Sequence, residues 1–556
     1  MPRPLRTLLQ RARATAHDRL RPPATALFAL SALTAWSAVP AHAQLPDPYT
    51  VPRGALRVAF DPQWLSFAEL FDPTGTRMPL GTYYSADSLG TGFFPTLADA
   101  EGAVRSITGD GTFRFNAGRF RTKLDADYRQ FPFSLSVGVS ARLTLTATVP
   151  LVTTRVKSGT SLDATDAEAG WNPLTTAAGL DSLTRLLGEL DAAAAQLDAD
   201  IAAGSFGCPS GPTCAEAQSL ADRIRLLSVD LRTLTGYTAI TTGDGTPVPP
   251  FSPLAQSAAG QAIQQAIADV SAALQALGQM GLATTMPLPS TPADSNAVDV
   301  VLQESGFGYG ALPFERGETI KLSGFGDVEL GFRYGVATGP TFRAVVGGLV
   351  RLPTGKKQDD PNDFLDLAPA DGQLDLALRI DGAFEPGSRV GVWFSGGYTL
   401  QFGDHLIKRV ARIDQPIVPA SAVTDVQRNL GDEIRVSIHP ALRLSPSFRA
   451  FVSASYYHKG VDRYTVNGAA IPELEALTGR TLWTFGGGLW YRMEQNRRRT
   501  SLPIEAGFMY DATMYGRDGV VPKAGRMTLS IRFFYTLWGR PVEPEPTPEP
   551  APEPPG

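Results

Sequence analysis

The chain has 556 residues and a formal net charge of -5, and only 19% of its residues are charged, against about 25% in an ordinary soluble protein. Its 43% hydrophobic content and mean hydropathy of -0.07 exclude a bundle of membrane helices, each of which needs about 20 consecutive apolar residues. The slight acidity gives no reason to expect a nucleic-acid partner, and 55 Gly with 45 Pro imply many turns.

The first element, residues 1–43, carries Arg3, Arg6, Arg11, Arg13, Arg19 and Arg21 ahead of an apolar run from Ala24 to Val39 that ends in Ala41-His42-Ala43. This is the order of a secretory signal peptide with its small-x-small cleavage site, so the mature chain is expected to start at Gln44. The long basic leader leaves an organelle transit peptide or an amphipathic arm as the alternative.

Residues 44–157 are expected to form the N-terminal part of a β-barrel. A first strand runs near Leu56 to Phe67, and alternation returns at Phe133, Leu135, Val137 and Val139, then at Leu143, Leu145, Ala147, Val149 and Leu151 after a tight Ser140-Ala141 turn. Between them, residues 68–130 change phase near Gln130-Phe131, which suggests a bulge, and hold either a further hairpin or a plug.

From 158 to 321 the apolar period changes from two to three and four. Leu180, Leu183, Leu187, Leu190, Ala194, Leu197 and Ile201 make one seam; Ala217, Leu220, Ile224, Leu227, Leu231 and Leu234 a second; Ile263, Ile267, Val270, Leu274 and Leu277 a third. These heptad stripes predict a coiled-coil-like insertion of three helices, serving either as a cap over the barrel mouth or as a spacer or coiled-coil partner surface with no role in permeation. Cys208 and Cys214 fall where the first two helices would turn. Two cysteines in one short loop, with no histidine nearby, predict a disulfide rather than a zinc site, which takes four ligands.

Residues 322–539 return to period two over segments of about ten to twelve residues. One face of each segment is apolar, and the other repeatedly carries Arg, Asp, Glu, Ser and Gly. That face would be apolar in a soluble sandwich; strands of this length with a polar inner face fit an antiparallel transmembrane barrel. The count is about twelve strands, within 10–14. Short links near 336–341, 385–389, 444–448 and 494–500 alternate with long ones near 354–372, 403–431, 459–480 and 515–524, which predicts periplasmic turns and external loops. Tyr334, Tyr491, Tyr535 and Trp538 at one end, and Tyr398, Tyr456, Trp483 and Tyr510 at the other, make two aromatic girdles. Residues 540–556 read as an extended Pro/Glu-rich tail available for periplasmic or cell-wall contact.

The face assigned to the lumen gathers Arg333, Arg343, Arg351, Asp375, Arg379, Glu433, Arg435, Arg443, Arg492, Glu505, Asp511 and Arg532. Such a set is either a constriction that selects solutes or a self-neutralised ladder that fills a narrow barrel. Past residue 43 the histidines are His405, His439 and His458; Asp404 and Asp462 are candidate partners for the outer two, and Ser437 lies two residues from His439. No phosphate loop, dinucleotide fingerprint or metal-ligand cluster appears, so no catalytic residue, cofactor or metal is expected.

Gly324-Phe325-Gly326-Asp327 followed by Val328-Glu329-Leu330-Gly331-Phe332-Arg333-Tyr334, then Leu352-Pro353-Thr354-Gly355, with Gly138 and Val149-Pro150-Leu151 upstream, resembles the outer-membrane barrels associated with phenol meta-cleavage pathways. These are similar to hydrophobic-compound channels of the fatty-acid transporter type. The resemblance covers roughly 130–157 and 322–537 and leaves out the helical insertion and the tail. It implies a chain in the outer membrane of a Gram-negative-type bacterium, in contact with outer-membrane lipid, that takes up small hydrophobic or aromatic solutes. It carries over no residue-level site. A structural or adhesive barrel that presents the helices, and less so an outer-membrane hydrolase, are the other classes.

Overall fold

The computed structural model describes residues 47–538 apart from 295, 311–318, 358–367, 388, 411–416 and 494–503. The expected signal peptide, the Pro/Glu-rich tail and the turn near 494–500 lie outside the described residues.

Twelve antiparallel strands close on themselves among the described residues. They are β1 (Ala55–Phe60 and Gln63–Phe67), β2 (Arg119–Gly138), β3 (Leu143–Asp163), β4 (Thr319–Phe325 and Val328–Thr338), β5 (Phe342–Leu352), β6 (Asp375–Phe384), β7 (Val390–Gln401), β8 (Glu433–Arg443), β9 (Phe448–Lys459), β10 (Arg480–Arg492), β11 (Ile504–Arg517) and β12 (Gly525–Thr536). Closure runs through β1, whose Leu56 faces Tyr535 of β12 on one side and Val137 of β2 on the other. Closure removes every sheet edge, as a barrel in lipid requires. Val452, Leu378, Val436, Phe485 and Leu330 stand exposed on the outside, while their strand neighbours Ser453, Arg379, Ser437, Thr484 and Glu329 point inward. An apolar exterior over a polar interior is the arrangement of a transmembrane barrel, and no described helix is long and apolar enough to cross a membrane.

Two strands are interrupted. In β1 the break falls at Asp61-Pro62, where Pro62 has no N–H to give the ladder and accepts instead from the Leu529 amide at 2.9 Å. In β4 it falls at Gly326-Asp327, and Gly326 donates to the Pro150 carbonyl at 2.9 Å.

The expected bulge near Gln130 is absent. β2 and β3 pair without a register shift from Arg119–Asp163 to Gly138–Thr144. What changes there is the environment. Toward the short turn Ser134 and Ser136 face the lumen and Phe133 and Leu135 face out, whereas Phe120, Leu124, Ala126 and Tyr128 turn the same inner face into an apolar core beyond the barrel wall. The apolar phase inverts because the strand leaves the membrane.

That core sits at the end carrying the long loops. It joins α1 (Ala98–Thr108), α2 (Ala177–Ala202), α3 (Pro212–Thr235), α4 (Ala258–Ala276) and α5 (Asn296–Gln303) to the tips of β2 and β3. The three seams read from the sequence meet there: Leu183, Leu187 and Leu190 with Leu220, Ile224 and Leu231, and with Ile263, Ile267 and Leu274. Each buried Leu or Ile contributes about 1.5–3 kcal/mol. Thr176 and Ser257 cap α2 and α4 by accepting from the amides of Gly179 and Gly260. Cys208 and Cys214 are bonded across the link between α2 and α3, with Cα atoms 5.0 Å apart. Residues 80–108 bring Phe93, Phe94, Leu97 and Val104 into the same core.

Two stretches read as plain loops contain a second small sheet of Asp404–Arg409, Val423–Asn429, Arg463–Val466 and Ala469–Ala470. It extends β7, β8 and β9 past the wall around Leu406, Val426 and Tyr464.

Candidate functional site: the barrel interior

The site follows from pleating: on each strand every second residue points into the lumen, so the inward charges stack in layers set by the strand register. At the short-turn end residues 47–54 run inside the barrel. The Asp47 carboxylate is bound by Arg57 of β1, by Arg333 of β4 at 2.6 Å and by Arg532 of β12 at 3.4 Å. Burial alone would raise the Asp47 carboxyl, but the guanidiniums of Arg333, Arg57 and Arg532 hold it well below the usual carboxylate range. Tyr49 lies between Arg343 of β5 and Arg492 of β10, at 5.2 and 4.3 Å from ring centre to guanidinium carbon. Those two strands are nearly opposite in a twelve-strand circle, so the two arginines with the ring between them bridge the lumen.

The predicted lumen residues divide among several ion-pair groups. Arg379 pairs with Asp381 at 2.8 Å, and Arg333 reaches the same carboxylate at 3.5 Å. Arg343 and Arg449 share Glu385, each at 3.1 Å, and Arg443 borders a small cavity together with Glu385 and Arg449. Arg492 meets Glu505 at 2.6 Å, with Arg532 at 3.8 Å. Toward the long loops Arg351 bridges Asp375 at 2.7 Å and Glu329 at 3.3 Å, and Asp511 accepts from Arg526 Nε at 2.9 Å. Glu433 accepts from the Tyr457 hydroxyl at 2.8 Å, and the Arg435 guanidinium lies 5.2 Å over the Tyr457 ring.

Sequence reasoning missed Asp47, Tyr49, Glu385 and Arg526. Asp47, Tyr49 and Glu385 sit outside strands, where alternation says nothing; Arg526 stands at the start of β12, in phase with Arg532. It also missed an apolar cluster inside the barrel, made by Ala383, Trp393, Ala441, Phe451, Trp490 and Met509. Gly488 makes room for it, since a Cβ there would stand 2.7 Å from the Phe451 ring. Trp393, on the polar face of its strand in the sequence pattern, was the available signal.

Between this cluster and the long-loop end lies a cavity bordered by Leu65, Leu482, Met509, Arg435 and Tyr457 among others. His439 Nε2 lies 3.0 Å from Ser437 Oγ on its border, so the pair two residues apart does meet. The remaining histidines do not find the expected carboxylates: His458 Nδ1 is 2.9 Å from Thr481 Oγ1, His405 is 3.8 Å from Asp425, and Asp404 and Asp462 are bound by Arg428 and Lys459. Among the described residues no group of His, Cys, Asp and Glu is arranged to hold a metal.

No protein-family model matches the chain, and no curated protein matches it. Among solved structures it is similar to the COG4313 outer membrane channel from Pseudomonas putida F1, with a TM-score of 0.40 and 10% identity over 89% of this chain and 100% of that one. It is also similar to the Ralstonia pickettii toluene transporter TbuX, with a TM-score of 0.27 and 8% identity over 87% of this chain and 90% of the other. A Pseudomonas aeruginosa FadL homologue gives 0.23 and 9% over 87% and 90%. At these scores the fold rests on the strand register given above.

Proposed function

We propose that this chain is an outer-membrane channel of a Gram-negative-type bacterium for small hydrophobic or aromatic solutes. The observation that carries the reading is a closed barrel, apolar outside, that holds a partly apolar cavity between its aromatic cluster and its long-loop end. By the loop-length rule the short turns are periplasmic and the helical cap is external. On the cavity border Arg526 and Arg379 are paired with Asp511 and Asp381, and Arg435 lies over the Tyr457 ring, so a solute with apolar surface meets Leu65, Leu482 and Met509 beside charges that already have partners. The motifs that resemble hydrophobic-compound channels point the same way, and the solved channels to which the chain is similar include toluene transporters.

The reading is non-enzymatic. His439 has Ser437 beside it, yet among the described residues its Nδ1 atom meets no carboxylate to orient the ring. The filled short-turn end, with Tyr49 across the lumen and the tryptophan cluster above it, favours a second reading, a closed barrel that only presents its cap. Vesicles of asymmetric outer membrane, with lipopolysaccharide outside, separate the two: entry of radiolabelled toluene faster with the protein than without it supports the channel, and equal rates support the display barrel.

A further inference from the structure

Five hydroxyl side chains stand in one row across the inner wall. Ser395 of β7 faces Ser437 of β8, Ser437 faces Ser455 of β9, Ser455 faces Thr484 of β10, and Thr484 faces Thr513 of β11. All five border the lumen cavity. Adjacent strands lie about 4.8 Å apart, so the row is a continuous track of donors and acceptors of about 19 Å. The aromatic cluster lies on its short-turn side, and Arg435 with Tyr457 on its long-loop side.

The track is not closed upon itself. Ser395 and Ser437 bond to each other at 2.7 Å, and Ser437 bonds to His439 at 3.0 Å. Beyond them Thr484 Oγ1 and His439 Nδ1 have no hydrogen-bond partner among the described residues, although the two residues are only 8% and 3% exposed. A buried polar atom left unmade costs about 1–3 kcal/mol, and a molecule entering the cavity can recover that only if it brings a donor or acceptor. A bare hydrocarbon brings neither. A carboxylate would need a guanidinium, and of those on the cavity border Arg526 and Arg379 are held by Asp511 and Asp381 at 2.9 and 2.8 Å, while Arg435 and Arg480 lie over the Tyr457 ring.

We propose that the row is a binding site for a small ring compound bearing an uncharged oxygen, an alcohol or a ketone, with its ring against Leu482 and Met509 and its oxygen on Thr484. The site rests on the channel reading and narrows it from apolar solutes in general to oxygen-substituted ones.

The test is calorimetric titration of the purified full chain in lipid nanodiscs, with empty nanodiscs as blanks. The probes are benzyl alcohol, toluene and benzoate, which share a ring and differ in the substituent. Benzyl alcohol is expected to bind about tenfold tighter than toluene. Thr484→Val, nearly isosteric, is expected to remove most of that preference while leaving toluene unchanged, and Ser455→Ala to reduce it. Equal affinity for toluene and benzyl alcohol, a preference that survives both substitutions, or tightest binding of benzoate would each overturn the proposal. Uptake distinguishes the two levels: vesicles that admit toluene and benzyl alcohol alike while titration shows no preference sink the site and leave the channel, and selective binding without uptake sinks the channel and leaves the site.

Discussion

The Gly355 amide donates to the Asp327 carboxylate at 2.8 Å. Asp327 ends the Gly-Phe-Gly-Asp segment and Gly355 ends the Leu-Pro-Thr-Gly segment, so two motifs 28 residues apart meet at the break in β4. The Val328 amide adds a bond to Thr354 Oγ1 at 2.9 Å. A side chain at 355 has no room, since its Cβ would stand 2.3 Å from the Ala370 methyl and 2.7 Å from the Gly326 carbonyl carbon. Asp327→Ala is expected to cost about 1–3 kcal/mol, and Gly355→Ala to lower the heat-unfolding midpoint on semi-native gels. Gly387→Ala, which meets nothing within 4 Å, should leave that midpoint unchanged.

The Asp47 carboxylate is shared by Arg57, Arg333 and Arg532. Asp47→Asn leaves three inward cations with no counter-charge at their centre, a loss of about 3–5 kcal/mol for a buried network. Residues 47–54 should then leave the lumen, and single-channel conductance in planar bilayers should rise. Tyr49→Ala should do the same in part, by emptying the space between Arg343 and Arg492. Conductance equal to that of the parent chain in both variants would show that this segment does not obstruct the ion path.

Exposed valines on the two parts of the molecule should respond differently to the same substitution. Val452 on β9 and Val229 on α3 are 61% and 59% exposed, yet only Val452 stands on the barrel wall. Arginine near the middle of a barrel's lipid face costs about 2–4 kcal/mol. Val452→Arg should reduce the folded, heat-modifiable form in the membrane, and Val229→Arg should not. Equal tolerance of the two would place the barrel wall in water.

Lys408 projects into the small sheet beyond the wall, 5.7 Å from the centre of the Tyr464 ring. Burial, and then the Arg428 charge, push its ammonium down to about 8. Unfolded lysine keeps its proton to about pH 10.4, so between about pH 8 and 10 the unfolded chain binds more protons and stability rises with pH. Lys408→Met should therefore raise the unfolding midpoint at pH 7, with the gain gone near pH 10. A gain that does not change over this range would contradict a strained charge at that position.

The sequence made the barrel legible wherever a strand divides lipid from lumen, because that boundary writes period two into residues such as Leu529, Ser530, Ile531 and Arg532. It became ambiguous at Gln130, where β2 passes from membrane to cap and the apolar side changes without any change in backbone. The helical seams were legible for the same reason as the strands, since Leu183, Leu187 and Leu190 bury one face. The lumen was only half legible. Alternation identified Arg333 and Arg532 as inward residues but could not show the carboxylate that joins them, because Asp47 comes from an irregular segment far along the chain. The hydroxyl row was invisible for a related reason: Ser395, Ser437, Ser455, Thr484 and Thr513 are neighbours only through register across five strands.

The most direct test of the channel is solute entry into outer-membrane vesicles with an intact lipopolysaccharide leaflet, comparing vesicles with and without the full chain and with its Asp47→Asn variant. The account predicts that radiolabelled toluene and benzyl alcohol enter faster with the protein, and faster again with the variant. Entry at the protein-free rate in all three preparations would contradict it.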